Sequence, residues 1–342
     1  MKNDNEFFQA VEQTSGNLQS SFSAGEKQHI PVLCAETVAL IAPRSGGIYV
    51  DGTIGLGGHS AAFFAAEQAI TVVGIDLDKE ALTIAADRLA PFSERVHLVH
   101  GNYRHIDDHL FRLGIDFVDG IILDLGPSSY QLDNPQRGFS FRRDGPLDMR
   151  MDRSSSQSAQ DIVNRYSEEE LTDLIRRYGE ERFAARIAEA IVSARKESLI
   201  ERSGQVAELV KRAIPRRFHS RRIHPATKTF QALRIAVNEE LDNLNIGLAA
   251  AFAKLRLGGV LVVISFHSLE DRIVKRFFRD KERPCICPPE LPVCRCNKQR
   301  SAEILTLKPL IPSPAEIADN PRARSAKLRA VRKCDQAEWT HG

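Results

Sequence analysis

Long apolar runs are missing from this 342-residue chain. No stretch approaches the roughly 18 consecutive apolar residues of a membrane span, so no membrane partner is expected. The first 28 residues are polar and lack both an apolar core and any arginine. Neither a secretory signal nor a mitochondrial presequence fits them. They read as a disordered tail, and the expected location is the cytoplasm. An excess of one charge is lacking too. The 47 lysines and arginines are balanced by 45 acids, and a net charge of +2 points to no class of partner. Six cysteines without a secretion signal do not make a disulfide framework. Also absent is the third glycine of a dinucleotide loop. After Gly55-Leu56-Gly57 that position holds Ser60, which disfavours a nicotinamide-dependent reductase.

What is present starts at Ile48-Tyr49-Val50-Asp51. This short apolar strand ends in an acid, runs into a glycine-rich turn, and continues as a helix from Ser60. Asp51 through Gly57 follow the pattern D-x-x-x-G-x-G, the shape of a class I S-adenosylmethionine (SAM) loop. An acid there can face the ligand's ammonium group, and glycines let the backbone approach its amino-acid end. Taken alone, the pattern also fits a plain tight turn.

Three further strand-like runs follow, each with a polar residue at its exit. Thr71–Ile75 leads to Asp76, about 20 residues past the turn, where a ribose would sit. Asp78, two residues on, reads as a helix cap. Val96–His100 leads to Tyr103, whose ring could stack on a base. Val118–Leu123 leads to Asp124. The alternation β-α-β-α-β-α-β predicts a parallel, doubly wound α/β sheet with its ligand residues at the carboxyl ends of the strands. The hydrophobic content of 42% supports a core of that size.

The pattern then changes. Ser128 to about Arg234 is polar and then helical, with a capping-box spacing at Ser167–Glu170 and amphipathic runs over 183–194 and 205–214. Strand pattern resumes over 257–268, and a last strand is expected over 302–310. The expected organisation is a tail at 1–28, a discontinuous core at 29–140 and 235–320, a helical insert at 141–234, and a basic tail at 321–342. Two acid-free basic clusters stand out. One lies between Lys211 and Arg234 and includes Arg216, Arg217, Arg221 and Arg222. The other, Arg322 to Lys333, lies in the tail. Such clusters are candidate phosphate contacts, although one alone reads more readily as a solvated face.

Asp124 carries a chemical possibility. An exocyclic amine such as cytosine N4 is a poor nucleophile because its lone pair is delocalised into the ring. A carboxylate or backbone carbonyl accepting its hydrogen bond raises its nucleophilicity and holds it in line with a methyl sulfonium carbon. Asp124 fits that role and fits cofactor binding equally well. The following Leu125-Gly126-Pro127 is not the D/N/S-P-P-Y/F/W motif of DNA amino-methyltransferases, so DNA is not the expected partner.

Several long blocks resemble one family, the MraW ribosomal RNA methyltransferases. They are Asp51–Ser60, Asp124–Gln131, Arg137–Phe141, Asp144–Asp152, Arg222–Arg234, Ser265–Asp271 and Asn320–Ser325. The resemblance runs from about His29 to Arg332. It implies a class I SAM-dependent methyltransferase core with an inserted all-helical domain. It implies methylation of the exocyclic N4 of a cytidine in 16S rRNA of the small ribosomal subunit, in the decoding region near the P site. The family's SAM contacts fall on Gly57, Gly58, His59, Asp76, Tyr103, Asp124 and Gln131, with Asp124 also the catalytic candidate. Arg216, Arg217, Arg221 and Arg222 would hold RNA phosphates. His224 and His267 would line the target pocket or serve structure. Two departures are visible: Pro127 stands where valine is usual, and Tyr103 where phenylalanine is common. Tyr103 keeps a stacking face, whereas Pro127 removes a backbone N–H.

The cysteines add a separate pattern. Cys285-x-Cys287 and Cys294-x-Cys296 flank a proline-rich loop. No catalytic metal is expected, because methyl transfer needs none. The four thiols read either as a surface loop of free thiols or as a structural zinc site, for which C-x-x-C is the commoner spacing.

Overall fold

The structure is a computed structural model that describes residues 11, 31–220, 224–285, 287, 295, 296 and 298–335. The chain divides into two compact units, 1–126 with 243–342 and 127–242.

The first unit is built on one seven-stranded sheet in the order β3-β2-β1-β4-β5-β7-β6. The strands are β1 (Ile48–Asp51), β2 (Thr71–Asp76), β3 (Val96–His100), β4 (Val118–Asp124), β5 (Leu255–Ser265), β6 (Ala302–Ile304) and β7 (Lys327–Lys333). β1 to β5 are mutually parallel, and β7 runs antiparallel to both β5 and β6. The helices of this unit include α1 (Cys34–Ile41), α2 (Gly58–Ala66), α3 (Lys79–Arg88) and α4 (Ile106–Arg112).

Alternate strand residues go to opposite faces. Tyr49, Val72, Ile122, Val260, Val262 and Ile264 join the core beneath α1 and α2. Val50, Val73, Ile75, Ile121, Leu123, Leu261 and Val263 join the core on the other side. Burial on both faces explains why these strands read as nearly continuous apolar runs rather than as alternating ones.

The second unit is helical. It contains α5 (Ser129–Asp133), α6 (Ala159–Arg165), α7 (Glu168–Gly179), α8 (Ala184–Glu197), α9 (Ser203–Ala213) and α10 (Thr227–Val237). α11 (Glu240–Lys254) begins at the boundary, and α12 (Ser268–Glu282) and α13 (Pro314–Asp319) return to the first unit. The predicted capping box is present at α7: Glu170 N–H donates to Ser167 Oγ, and Ser167 N–H donates to the Glu170 carboxylate. Asp78 caps α3 through Glu80 N–H.

Two boundaries differ from expectation. The insert begins at Pro127 and ends at Asp242 rather than spanning 141–234. Phe139 and Val237, placed outside it by sequence, are buried in its core. The basic tail expected over 321–342 holds strand β7 instead. Leu328, Ala330 and Val331 are buried, and so is Arg329, which hides the apolar pattern behind positive charge. That charge is mostly engaged internally. Asp271 accepts from Arg329 Nε at 2.7 Å and from Lys327 Nζ at 3.2 Å. Lys333 Nζ donates to the carbonyls of Ala253 and Leu255, and Arg332 pairs with Glu303.

The charged loop of the second unit is an internal clamp. Arg137 is 1% exposed, and its Nη2 donates to the carbonyls of Arg150 at 3.1 Å and Met151 at 2.9 Å. Asn238 Nδ2 donates to Met149 O, and Asn238 Oδ1 accepts from Met151 N–H. Asp144 accepts from Gly204 N–H at the start of α9 and from Arg202 Nε. Arg137→Lys keeps the charge but loses the planar donor set. It is expected to lower stability by about 2 kcal/mol, the cost of stranding a buried partner of a charged donor, as read from urea unfolding.

Candidate active site

The parallel strands bring their carboxyl ends to one edge. Asp51 closes β1, Asp76 closes β2 and Asp124 closes β4. Pairing sets them in register: Asp51 lies beside Gly74 and Ile122, and Asp124 beside Ile264. Between β1 and α2 the loop turns on Gly55 (φ 50°) and Gly57 (φ 76°), left-handed conformations that suit glycine. Gly57 occupies the N-cap of α2, where no side chain caps the helix. Uncapped N–H groups at such a helix start favour a carboxylate.

Asp76 ties this loop to β2. Its Oδ2 accepts from Gly55 N–H and its Oδ1 from Asp78 N–H, each at 2.8 Å. Burial pushes its pKa up to about 6, against the pull of those two N–H donors. Asp51 is 1% exposed and accepts from Ser60 Oγ at 2.9 Å. Burial raises its pKa to about 6 as well, with His59 and Ser60 opposing and Asp124 reinforcing the rise.

His59, the second residue of α2, is 5% exposed, and its Nε2 lies 3.6 Å from Asp124 Oδ2. That separation is an ion pair rather than a hydrogen bond. Burial favours the neutral ring, but Asp124 and Cys34 outweigh it, and the pKa rises to about 10. The ring is therefore an imidazolium at neutral pH. Asp124 N–H donates to Thr53 Oγ1 at 2.7 Å, which fixes the exit of β4 on the glycine loop. Asp124 Oδ1 and Asp51 Oδ1 are buried without a hydrogen-bond partner among the described residues. Tyr103 follows β3, and its ring packs on Gly247 of α11, where any side chain would collide with it.

Six of the expected cofactor residues, Gly57, Gly58, His59, Asp76, Tyr103 and Asp124, thus belong to the first unit, grouped around the carboxyl ends of β1 to β4. Gln131 lies in the second unit, where its Oε1 accepts from Ser128 N–H and so caps α5. His267 caps α12: its Nδ1 accepts from Glu270 N–H at 3.4 Å, and its Nε2 is 3.2 Å from Glu270 Oε1. Arg216 and Arg217 are exposed on a short turn of the second unit. Arg217 and Arg182 lie over the ring of Phe218, at 4.9 and 3.9 Å from its centroid. His224 stacks on Phe141 with centroids 4.6 Å apart. Arg221 and Arg222 lie outside the described residues. Of the cysteine quartet, Cys285, Cys287 and Cys296 are brought together, and Cys294 lies outside the described residues. Thr53, Ser60, Cys34 and Gly247 were not among the expected site residues. Only Ser60 had a local signal, its place one helical turn into the loop–helix junction.

Parallel β1 to β5, an antiparallel β7 inserted beside β5, a glycine loop after β1 and acids closing β1, β2 and β4 together define a class I SAM-dependent methyltransferase. The donor set fits that cofactor. Unpartnered buried carboxylate oxygens suit its cationic end, the uncapped start of α2 its carboxylate, and Asp76 its ribose hydroxyls. The sequence model of the MraW methylase family matches residues 26–334, and the chain belongs to that family. A protein of Geotalea uraniireducens (strain Rf4) named ribosomal RNA small subunit methyltransferase H is 53% identical over 306 residues, 89% of this chain and 98% of that one. Proteins of the same name from Pelobacter propionicus and Carboxydothermus hydrogenoformans are 52% and 50% identical, each over 90% of this chain and 98% of their own length. Among the described residues no helix is long and apolar enough to cross a membrane.

Asp51 and Asp76 are ionised above pH of about 6 and neutral below it. A cation and ribose hydroxyls both bind the ionised form better. SAM affinity, measured by calorimetry, is therefore expected to be level from pH 8 to 7 and to weaken as pH falls through 6. An affinity unchanged down to pH 5 would show that neither carboxylate faces the ligand.

Proposed function

We propose that this enzyme methylates the exocyclic N4 of a cytidine in 16S rRNA of the small ribosomal subunit, in the decoding region near the P site. Support for the substrate comes from the relatives' shared name, ribosomal RNA small subunit methyltransferase H. Support for an amine target comes from one observation above the rest: the buried Asp124 Oδ1, without a partner among the described residues, at the exit of β4.

When bound, SAM supplies a methyl carbon made electrophilic by the adjoining sulfonium. Asp124 accepts a hydrogen bond from the N4 amino group and thereby localises its lone pair. A neutral N4-methylcytidine would form only when N4 gives up one proton, and Asp124 would hold that proton through the same hydrogen bond. His59, fixed by α2, lies 3.6 Å from Asp124 Oδ2 and orients that carboxylate. The target base has to leave its stack to reach this edge. Arg216 and Arg217 on the second unit hold RNA phosphates, and Phe218 holds the Arg217 guanidinium in place from below.

The decisive experiment is transfer of labelled methyl from SAM to small subunits from cells lacking this protein, followed by nucleoside mass spectrometry. Label is expected in N4-methylcytidine of 16S rRNA. Asp124→Asn is expected to slow transfer 10²-fold or more, in line with loss of a positioned acid–base group. Measurable SAM binding with no label on subunits or naked rRNA would leave a binding factor without turnover. A second test separates the RNA contacts. Removing both Arg216 and Arg217 by alanine substitution is expected to flatten the salt dependence of RNA binding by about 1.4 in log–log slope, roughly 0.7 per lost phosphate contact. An unchanged slope would place the RNA elsewhere.

A further inference from the structure

The loop between α12 and β6 has no part in the chemistry above, yet its neck is fastened by several bonds. Lys298 Nζ pairs with Asp280 at 2.7 Å and also donates to the Asp280 carbonyl. Arg300 Nη2 reaches Glu282 at 3.3 Å, and Ser301 N–H donates to Lys281 O at 3.0 Å. These bonds join the last turn of α12 to the run entering β6. Just beyond them, on the loop side, stand three thiols: Cys285 and Cys287 on the outgoing arm and Cys296 on the returning one.

Their sulfurs all lie within 4.8 Å of one another. Cys296 Sγ and Cys285 Sγ are 3.7 Å apart. A disulfide would require about 2.05 Å. A zinc–sulfur bond of about 2.3 Å sets the edge of a tetrahedron at about 3.8 Å. Two backbone donors already point at the sulfurs. Cys287 N–H lies 3.3 Å from Cys285 Sγ, and Arg295 N–H lies 3.4 Å from Cys287 Sγ. Such N–H groups, donating to sulfur, orient it as the hydrogen bonds around a metal ligand do. Three thiolates and a divalent ion leave a net negative charge, and Arg283 and Arg295 stand close in sequence to offset it.

We propose that Cys285, Cys287 and Cys296 bind a structural zinc ion that clamps the neck of this loop. Zinc fits because an all-sulfur set selects a borderline-soft ion, and a clamp needs no redox change. The fourth corner of the tetrahedron belongs to a further donor. The ion adds a cross-link beyond the exposed and half-buried ion pairs of the neck, which individually contribute little.

The test uses untagged, full-length protein purified under reductant and without chelator, with metal measured by mass spectrometry. One zinc per chain is expected. It should vanish when Cys285, Cys287 and Cys296 are all replaced by serine, and persist in Cys34→Ser and in Cys334→Ser. Exchange for cobalt(II) should give thiolate-to-metal charge-transfer absorption, weakened but still present in Cys287→Ser, so a poorly folding triple variant does not decide the matter. Zinc far below one per chain in protein whose thiols all titrate as reduced would overturn the proposal. So would zinc that survives the triple substitution, or a Cys285–Cys296 disulfide in anaerobically prepared protein.

Discussion

Carboxylates buried at the same edge of a sheet repel one another, and a fixed cation is what makes the arrangement tenable. Here the cation is His59. Its imidazolium lies 3.6 Å from Asp124 and lowers the cost of ionising Asp51. Removing one member of a buried ion pair typically costs about 3–5 kcal/mol, because the other is left charged and desolvated. The site's other features follow from that constraint. The α2 helix has to start at the glycine loop to aim the ring. The loop has to be bound to β2 through Asp76 and to β4 through Thr53. The sheet has to end its strands level.

Much of this was legible from the chain alone. The period of apolar runs, the acid after each strand and the glycine spacing gave the parallel sheet and placed Asp51, Asp76 and Asp124 at its edge. Asp78 and Ser167 were readable as caps because capping is a local event, decided by residues two or three apart. What was not legible rests on contacts remote in sequence. Asp76, expected at a ribose, also holds the backbone of Gly55, 21 residues away. Cys34 beside His59 and Gly247 beneath Tyr103 have no signature that spacing could reveal. His267 and Gln131 share an ambiguity of another kind: each caps a helix with the side chain that the resemblance assigns to a ligand, and local pattern cannot separate the two uses.

Charge misled where it was buried. The run Lys327-Leu328-Arg329-Ala330-Val331-Arg332-Lys333 reads as a basic tail because four of its seven residues are cationic. Arg329 is nevertheless buried, neutralised by Asp271 across 58 residues of sequence. The loop over 144–152 is also rich in charge. Asp144 accepts from Gly204 N–H and Arg150 donates to Ser155 O, and Arg137, which binds the carbonyls of Arg150 and Met151, is among the largest fully buried side chains. In both places the polar residues replace the apolar contacts that a longer strand or helix would have made.

The position of β7 also dictates when the fold can close. β5 is buried from Gly259 to Ser265 and pairs on one side with β4, but its other neighbour is Lys327–Lys333, about sixty residues further along the chain. At a synthesis rate of about 5–20 residues per second, that interval lasts roughly 3–12 s. Throughout it, the run Val260-Leu261-Val262-Val263-Ile264 shows an unpaired, aliphatic edge, the kind of surface that recruits other nascent strands. The newborn protein is therefore exposed to misassembly until Lys327–Lys333 has been made, and that strand acts as the latch that ends the risk.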